Sequence, residues 1–195
     1  MLKLLLFCTA LFFIEAASAG TATRAPNESV ENFVLRYAPP NSTIVHKIIE
    51  SSEWTPHGKM VIAFFEHPYP PPDNDPDLYA QLVTGKLYLP IAAREYEVLE
   101  IDSYGPEGRT AQIDSVFFAE ADRSKDKALI VLVSWHPNPG DLFRTFAYRK
   151  PSLIRPPTQL APHDVALKLD GGCIYCRKTP VTAAEVKRKL KSLSK

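Results

Sequence analysis

The chain of 195 residues is short of the residues and patterns that usually mark a chemistry. It contains 3 cysteines, 2 methionines and 2 tryptophans. No G-x-S-x-G elbow, no H-E-x-x-H zinc pair and no phosphate-cradling glycine loop occurs, and His46, His57, His67, His136 and His163 are scattered. These absences leave no recognisable hydrolytic machinery. Long apolar stretches are missing as well. The run from Leu4 to Ile14 is well short of the roughly 20 residues that cross a bilayer, and the later apolar runs are broken by charge or proline. No membrane span is expected.

What stands at the start has a definite order. Lys3 provides a positive residue, the apolar run follows, and Ala17-Ser18-Ala19 offers small residues for cleavage. That is the pattern of a cleavable secretory signal peptide over residues 1–19, cut between Ala19 and Gly20. A buried helix or a membrane anchor is the alternative, which the shortness of the run disfavours. Cys8 lies inside the run, so it leaves with the peptide and does not serve as a lipoprotein cysteine. The expected location is secreted or periplasmic. Asn27-Glu28-Ser29 and Asn41-Ser42-Thr43 match the glycosylation pattern, yet at about the frequency chance gives, so a Gram-negative envelope is favoured.

Residues 20–195 are expected to form one strand-rich domain, large enough to bury a core without disulfide staples. With 45% apolar and 10% aromatic residues the composition is that of an ordered protein. The net charge of +1 hides a split: from Arg177 onward seven basic residues face Glu185 alone. An acidic body and a basic tail attract one another.

Ser29 is a fitting N-cap for a short helix with Val30, Phe33, Val34 and Tyr37 on one face, ended by Pro39 and Pro40. Strand-length runs follow at 43–50, 59–66, 81–89, 95–103, 112–119, 128–135 and 142–149, punctuated by turn residues. Their short connections predict a mainly β (α+β) fold of about seven antiparallel strands in a meander or sandwich. The run Ala128 to Trp135 is apolar throughout, which predicts a central strand covered on both faces. Thr182 and Glu185 form a capping box that opens an amphipathic C-terminal helix over 182–193, with Ala183, Val186, Leu190 and Leu193 as its apolar stripe. A proline-rich loop at 67–77 and a strap at 150–162 complete the chain.

Four features bear on function. Cys173 and Cys176 form a close pair that an oxidising compartment would join in a disulfide. The pair superficially resembles the glutaredoxin and thioredoxin motif, but no helix follows it directly. A structural bridge, a redox pair and a metal site, with His163 as a loose further ligand, all stay open. Asp73, Asp75 and Asp77 have the alternate spacing of a calcium loop, although Leu78 stands where glycine is wanted and Thr84 where a bidentate glutamate is wanted. Calcium is the one cofactor they suggest, against the alternative of a solvated hairpin tip.

The stretch Val116 to Val131 resembles the strand, acidic loop and strand of the FG-GAP β-propeller repeats, through Glu120, Asp122 and the flanking strands. Ser124, Lys125 and Ala128 depart from that pattern, so the resemblance implies a β-hairpin more than an ion. Finally, Trp54, Tyr69, Tyr79 and Trp135 fall at or near loops, where they form either a recognition surface or seals at strand ends. The expected function is that of an exported, non-enzymatic binding or interaction protein of the cell envelope. Its partner would be another envelope or secreted macromolecule, not nucleic acid. The alternative is a thiol–disulfide or metal-linked function at Cys173 and Cys176, and a third is an enzyme site assembled from distant residues.

Overall fold

The computed structural model describes residues 20–69, 81–121, 126–136, 140–152, 159–162 and 182–193. Residues 1–19 and the pair Cys173 and Cys176 lie outside them. Among the described residues the fold is mainly β, with two antiparallel sheets and two helices. The larger sheet holds β1 (Gly20–Thr23), β6 (Glu95–Tyr104), β5 (Gln81–Ala92), β4 (Met60–Pro68) and β2 (Thr43–Ile44) in that order. β3 (Ile49–Ser51) shares the β2 edge of β4. The smaller sheet runs β7 (Gln112–Glu120), β8 (Lys127–Trp135) and β9 (Leu142–Tyr148). Helix α1 (Val30–Arg36) follows β1, and α2 (Ala183–Leu193) is the last element.

Period-two alternation explains how the layers stack. Met60, Ile62 and Phe64 of β4 enter a core shared with Leu129, Val131 and Val133 of β8, so the two sheets face each other as a sandwich. Val61, Ala63 and Phe65, on the other face of β4, pack with Phe33 and Val34 of α1. Ala128, Ile130 and Leu132, on the other face of β8, pack with Val186 and Leu190 of α2. Both strands are therefore covered twice, which is why each reads as a continuous apolar run. Both helices start as their sequences predict: Ser29 Oγ accepts from Asn32 N–H at 3.1 Å, and Thr182 Oγ1 accepts from Glu185 N–H at 3.3 Å. Glu185 Oε2 in turn accepts from Thr182 N–H at 2.9 Å, closing the capping box.

Two details differ from expectation. The run 43–50 forms two short strands rather than one, because Ile44 and Ile49, five residues apart, pair with Phe65 and Ile62 of β4, only three apart, so the residues between them leave the ladder. Four residues right after the predicted cleavage point form β1, held by pairing with β6 rather than by any hydrophobic pattern of their own.

Two bulges place acidic residues. Gly85 pairs with Asp102 and Lys86 with Glu100, so Ile101 is the extra residue and Asp102 comes to the sandwich interior. A Cβ on Gly85 would lie 2.8 Å from Phe64 Cε1, which restricts the position to glycine. Asp114 is the extra residue where β7 shifts register between Ile113 and Ser115. The described part of the strap, 159–162, joins the sheets: Leu160 N–H donates to Glu100 O at 2.8 Å, and Arg149 N–H to Ala161 O at 2.9 Å.

Candidate functional site

Of the four aromatics expected near loops, two are core residues. Trp54 and Trp135 are each 1% exposed, so neither belongs to a recognition surface. Their apolar bulk is worth more inside, and each indole N–H finds a carbonyl there. Trp54 donates to Lys127 O at 2.6 Å and Trp135 to Gly105 O at 2.9 Å. Tyr69 is exposed, at 40%. Tyr79, Asp73, Asp75 and Asp77 lie outside the described residues, as do Asp122, Ser124 and Lys125 of the stretch that resembles the propeller repeat. The flanking strands of that stretch do form a hairpin, with Glu120 opposite Lys127. Among the described residues no group of three or more His, Cys, Asp and Glu side chains is arranged to hold a metal ion. Nor is any described helix long and apolar enough to cross a membrane.

Among the described residues the fold brings together several polar clusters, of which three bear on chemistry. In the first, Tyr148 donates its hydroxyl to Asp102 Oδ2 at 2.7 Å and meets the Tyr104 hydroxyl at 2.9 Å. Burial pushes both phenols far above their ordinary range, so they remain protonated and bridge the two sheets. In the second, on the α1 side of the larger sheet, His67 Nε2 meets Thr84 Oγ1 at 3.0 Å. Thr84 Oγ1 meets Ser103 Oγ at 3.0 Å, and Ser103 donates to Glu100 Oε1 at 3.0 Å. Lys86, beside Glu100, donates to Tyr37 O at 2.8 Å, and burial lowers its pKa.

The third cluster sits where β8 turns into β9. Ser134 donates to Asp114 Oδ1 at 2.9 Å and lies 3.4 Å from His136 Nε2, while His136 Nδ1 lies 3.0 Å from Asp141 Oδ1. Serine, histidine and aspartate thus stand in the order of a nucleophile, its base and an orienting acid. Two facts oppose that use. Ser134 is 0% exposed, and its proton goes to Asp114 rather than to the histidine. Partial burial raises the Asp114 carboxyl above its ordinary value, against the lowering effects of Ser134 and His136. The local signal for this cluster was the i, i+2 spacing of Ser134 and His136, which puts them on one strand face.

A cleft of about 330 Å³ opens between α2 and β7. Phe118, Ala119 and Leu190 give it an apolar floor, and Lys127, Lys187, Lys191 and Glu120 form its rim. Lys187 and Lys191 share a helix face because they are four residues apart. Lys187 Nζ lies 4.8 Å above the Phe117 ring, and Lys127 Nζ pairs with Glu53 Oε1 at 2.8 Å. Half of the cleft comes from the hairpin and half from a helix about 65 residues later, so no contiguous motif marks it. Compared with protein-family models, curated proteins and solved structures, the chain matches none.

Proposed function

We propose that the chain is a non-enzymatic binding module of the cell envelope or extracellular space, and that it grips a segment of another exported protein in the cleft between α2 and β7. The observation that carries this reading is the mixed lining of the cleft, where Lys187, Lys191, Glu120 and Lys127, itself paired with Glu53, stand above an apolar floor. At about 330 Å³ it is at the small end of ligand sites, with room for one or two side chains rather than a large cofactor. An apolar side chain next to a carboxylate matches both halves of the lining. The burial of Ser134 supports binding over hydrolysis, since a substrate carbonyl has no approach to its hydroxyl.

Titrating isotope-labelled protein with a short synthetic peptide of alternating glutamate and leucine tests this reading. Chemical-shift changes should cluster at Phe118, Ala119 and Leu190. They should disappear in a Lys187→Glu/Lys191→Glu variant that still unfolds cooperatively. No shifts in the wild type, or undiminished shifts in the variant, would overturn the assignment.

A further inference from the structure

We propose that the cleft between α2 and β7 receives its peptide as an added strand, hydrogen-bonded along the outer edge of β7 with α2 as the side wall, which rests on the cleft being a peptide site. The edges of the two sheets carry the case. Among the described residues there are four: β1, and β2 with β3, in the larger sheet, and β7 and β9 in the smaller. A free edge offers a row of unpaired N–H and C=O groups to any other chain, and folded proteins keep such edges short, charged or covered. β1 has four residues, β2 two and β3 three. β9 carries Arg144, and at its end Tyr148 bridges Pro162 while Arg149 N–H donates to Ala161 O at 2.9 Å.

β7 has none of these protections over most of its length. It runs for nine residues, and after the bulge at Asp114 the stretch 115–119 reads Ser-Val-Phe-Phe-Ala, without a charge or a proline. Among the described residues no backbone group outside β8 bonds to it. The bulge sets the limit of the free edge. An extra residue breaks the even spacing of donors and acceptors, so a partner strand finds a regular ladder only from Ser115 onward.

The cleft lies along this same stretch. Phe118 turns to the sandwich core, where it meets Trp54 edge-on at 5.1 Å, and Ala119 turns to α2, yet both line the cleft together with Glu120. Neighbouring side chains of a strand point to opposite faces, so a cleft that touches three in a row reaches the strand's margin and is not confined to one face. An added strand there sends its own side chains alternately to the two faces. Acidic ones suit the α2 side, where Lys187 and Lys191 stand, and apolar ones the side of Phe118. The partner is therefore an extended segment in which acidic and apolar residues alternate, held by its main chain and selected by its side chains.

The test follows amide exchange in the full chain with the alternating glutamate–leucine peptide and two N-methylated forms of it, one methylated on the glutamate amides and one on the leucine amides. In the free protein, exchange within 115–119 should alternate, with every second N–H protected by β8 and the others fast. The fast set should slow several-fold when the peptide is bound. Only one of the two methylated peptides should bind more weakly, by about fivefold for each main-chain bond lost. Slow exchange of both sets in the free protein overturns the proposal, because the edge is then covered by the chain itself. Slowing that rises with protein concentration also overturns it, because a second copy then fills the edge. Shifts at the cleft without new protection in β7, and with both methylated peptides equally affected, overturn the added strand while the peptide site stands. No shifts at the cleft remove both.

Discussion

The two outer faces of the sandwich are covered by helices in opposite ways. α1 is only seven residues long, yet it is tied by polar bonds as well as packing. Arg36 reaches Glu28 at 2.6 Å and Thr23 O at 2.7 Å, Lys86 reaches Tyr37 O at 2.8 Å, and Phe33 is ringed by Tyr37, Tyr88 and Tyr96. α2 has eleven residues and rests on its stripe of Val186 and Leu190 over Ile130, Leu132 and the small side chains of Ala121, Ala128 and Ala147. Large aromatics fill the space beneath α1. Beside α2 a cleft stays open against β7. The lesson is that a short helix gains its place through tertiary partners, whereas a longer capped helix can sit loosely enough to leave room for something else.

The contrast can be broken hardest at Phe33. Phe33→Ala should remove about 3–5 kcal/mol of stability, read from urea unfolding, because three aromatic neighbours cannot close the void. Leu190→Ala should cost less, about 2 kcal/mol, since it borders an open cleft whose walls can relax. It should leave both sheets intact by circular dichroism. Removing each N-cap sharpens the comparison further. Thr182→Ala and Ser29→Ala should each cost about 1 kcal/mol, but amide protection should collapse in α2 and survive in α1, where the tethers remain.

Acid provides the gentlest probe. The Arg36 hydrogen bonds hold the Glu28 carboxyl below its ordinary value. A carboxylate whose pKa is lowered by folding adds stability above its unfolded value and gives it up as pH falls through the folded one. The α1 face should therefore lose protection below about pH 4.5, near the ordinary glutamate pKa. Glu28→Gln should remove that loss while leaving α2 exchange unchanged.

Much of this architecture is legible in the chain. The uniform apolar character of Ala128 to Trp135 implies cover on both faces, and β8 has a sheet on one side and α2 on the other. Ser29, Thr182 and Glu185 mark their helix starts because capping is a local affair of three or four residues. Long-range pairing leaves weaker traces. β1 carries one buried side chain, Ala22, and exists because β6 offers it an edge. The bulges at Ile101 and Asp114 arise from register between strands and have no signature within either strand. The cleft is harder still to foresee, as Lys127 starts a strand and Lys187 and Lys191 lie on a helix about 60 residues later. The tryptophans mislead for a simple reason: proximity to a loop in sequence says nothing about which way an indole turns.

Those two indoles also act along a direction that packing alone does not control. Trp54 hangs from the larger sheet and hooks the first residue of β8, while Trp135, the last residue of β8, hooks back to Gly105 beyond β6. The hooks are separated by the length of β8, about 27 Å at the rise of an antiparallel strand. Apolar faces can slide past one another at little cost over small distances, but a slide in either direction would stretch both hooks at once. β8 thus works as a ruler with a stop at each end, setting the longitudinal offset of one sheet against the other.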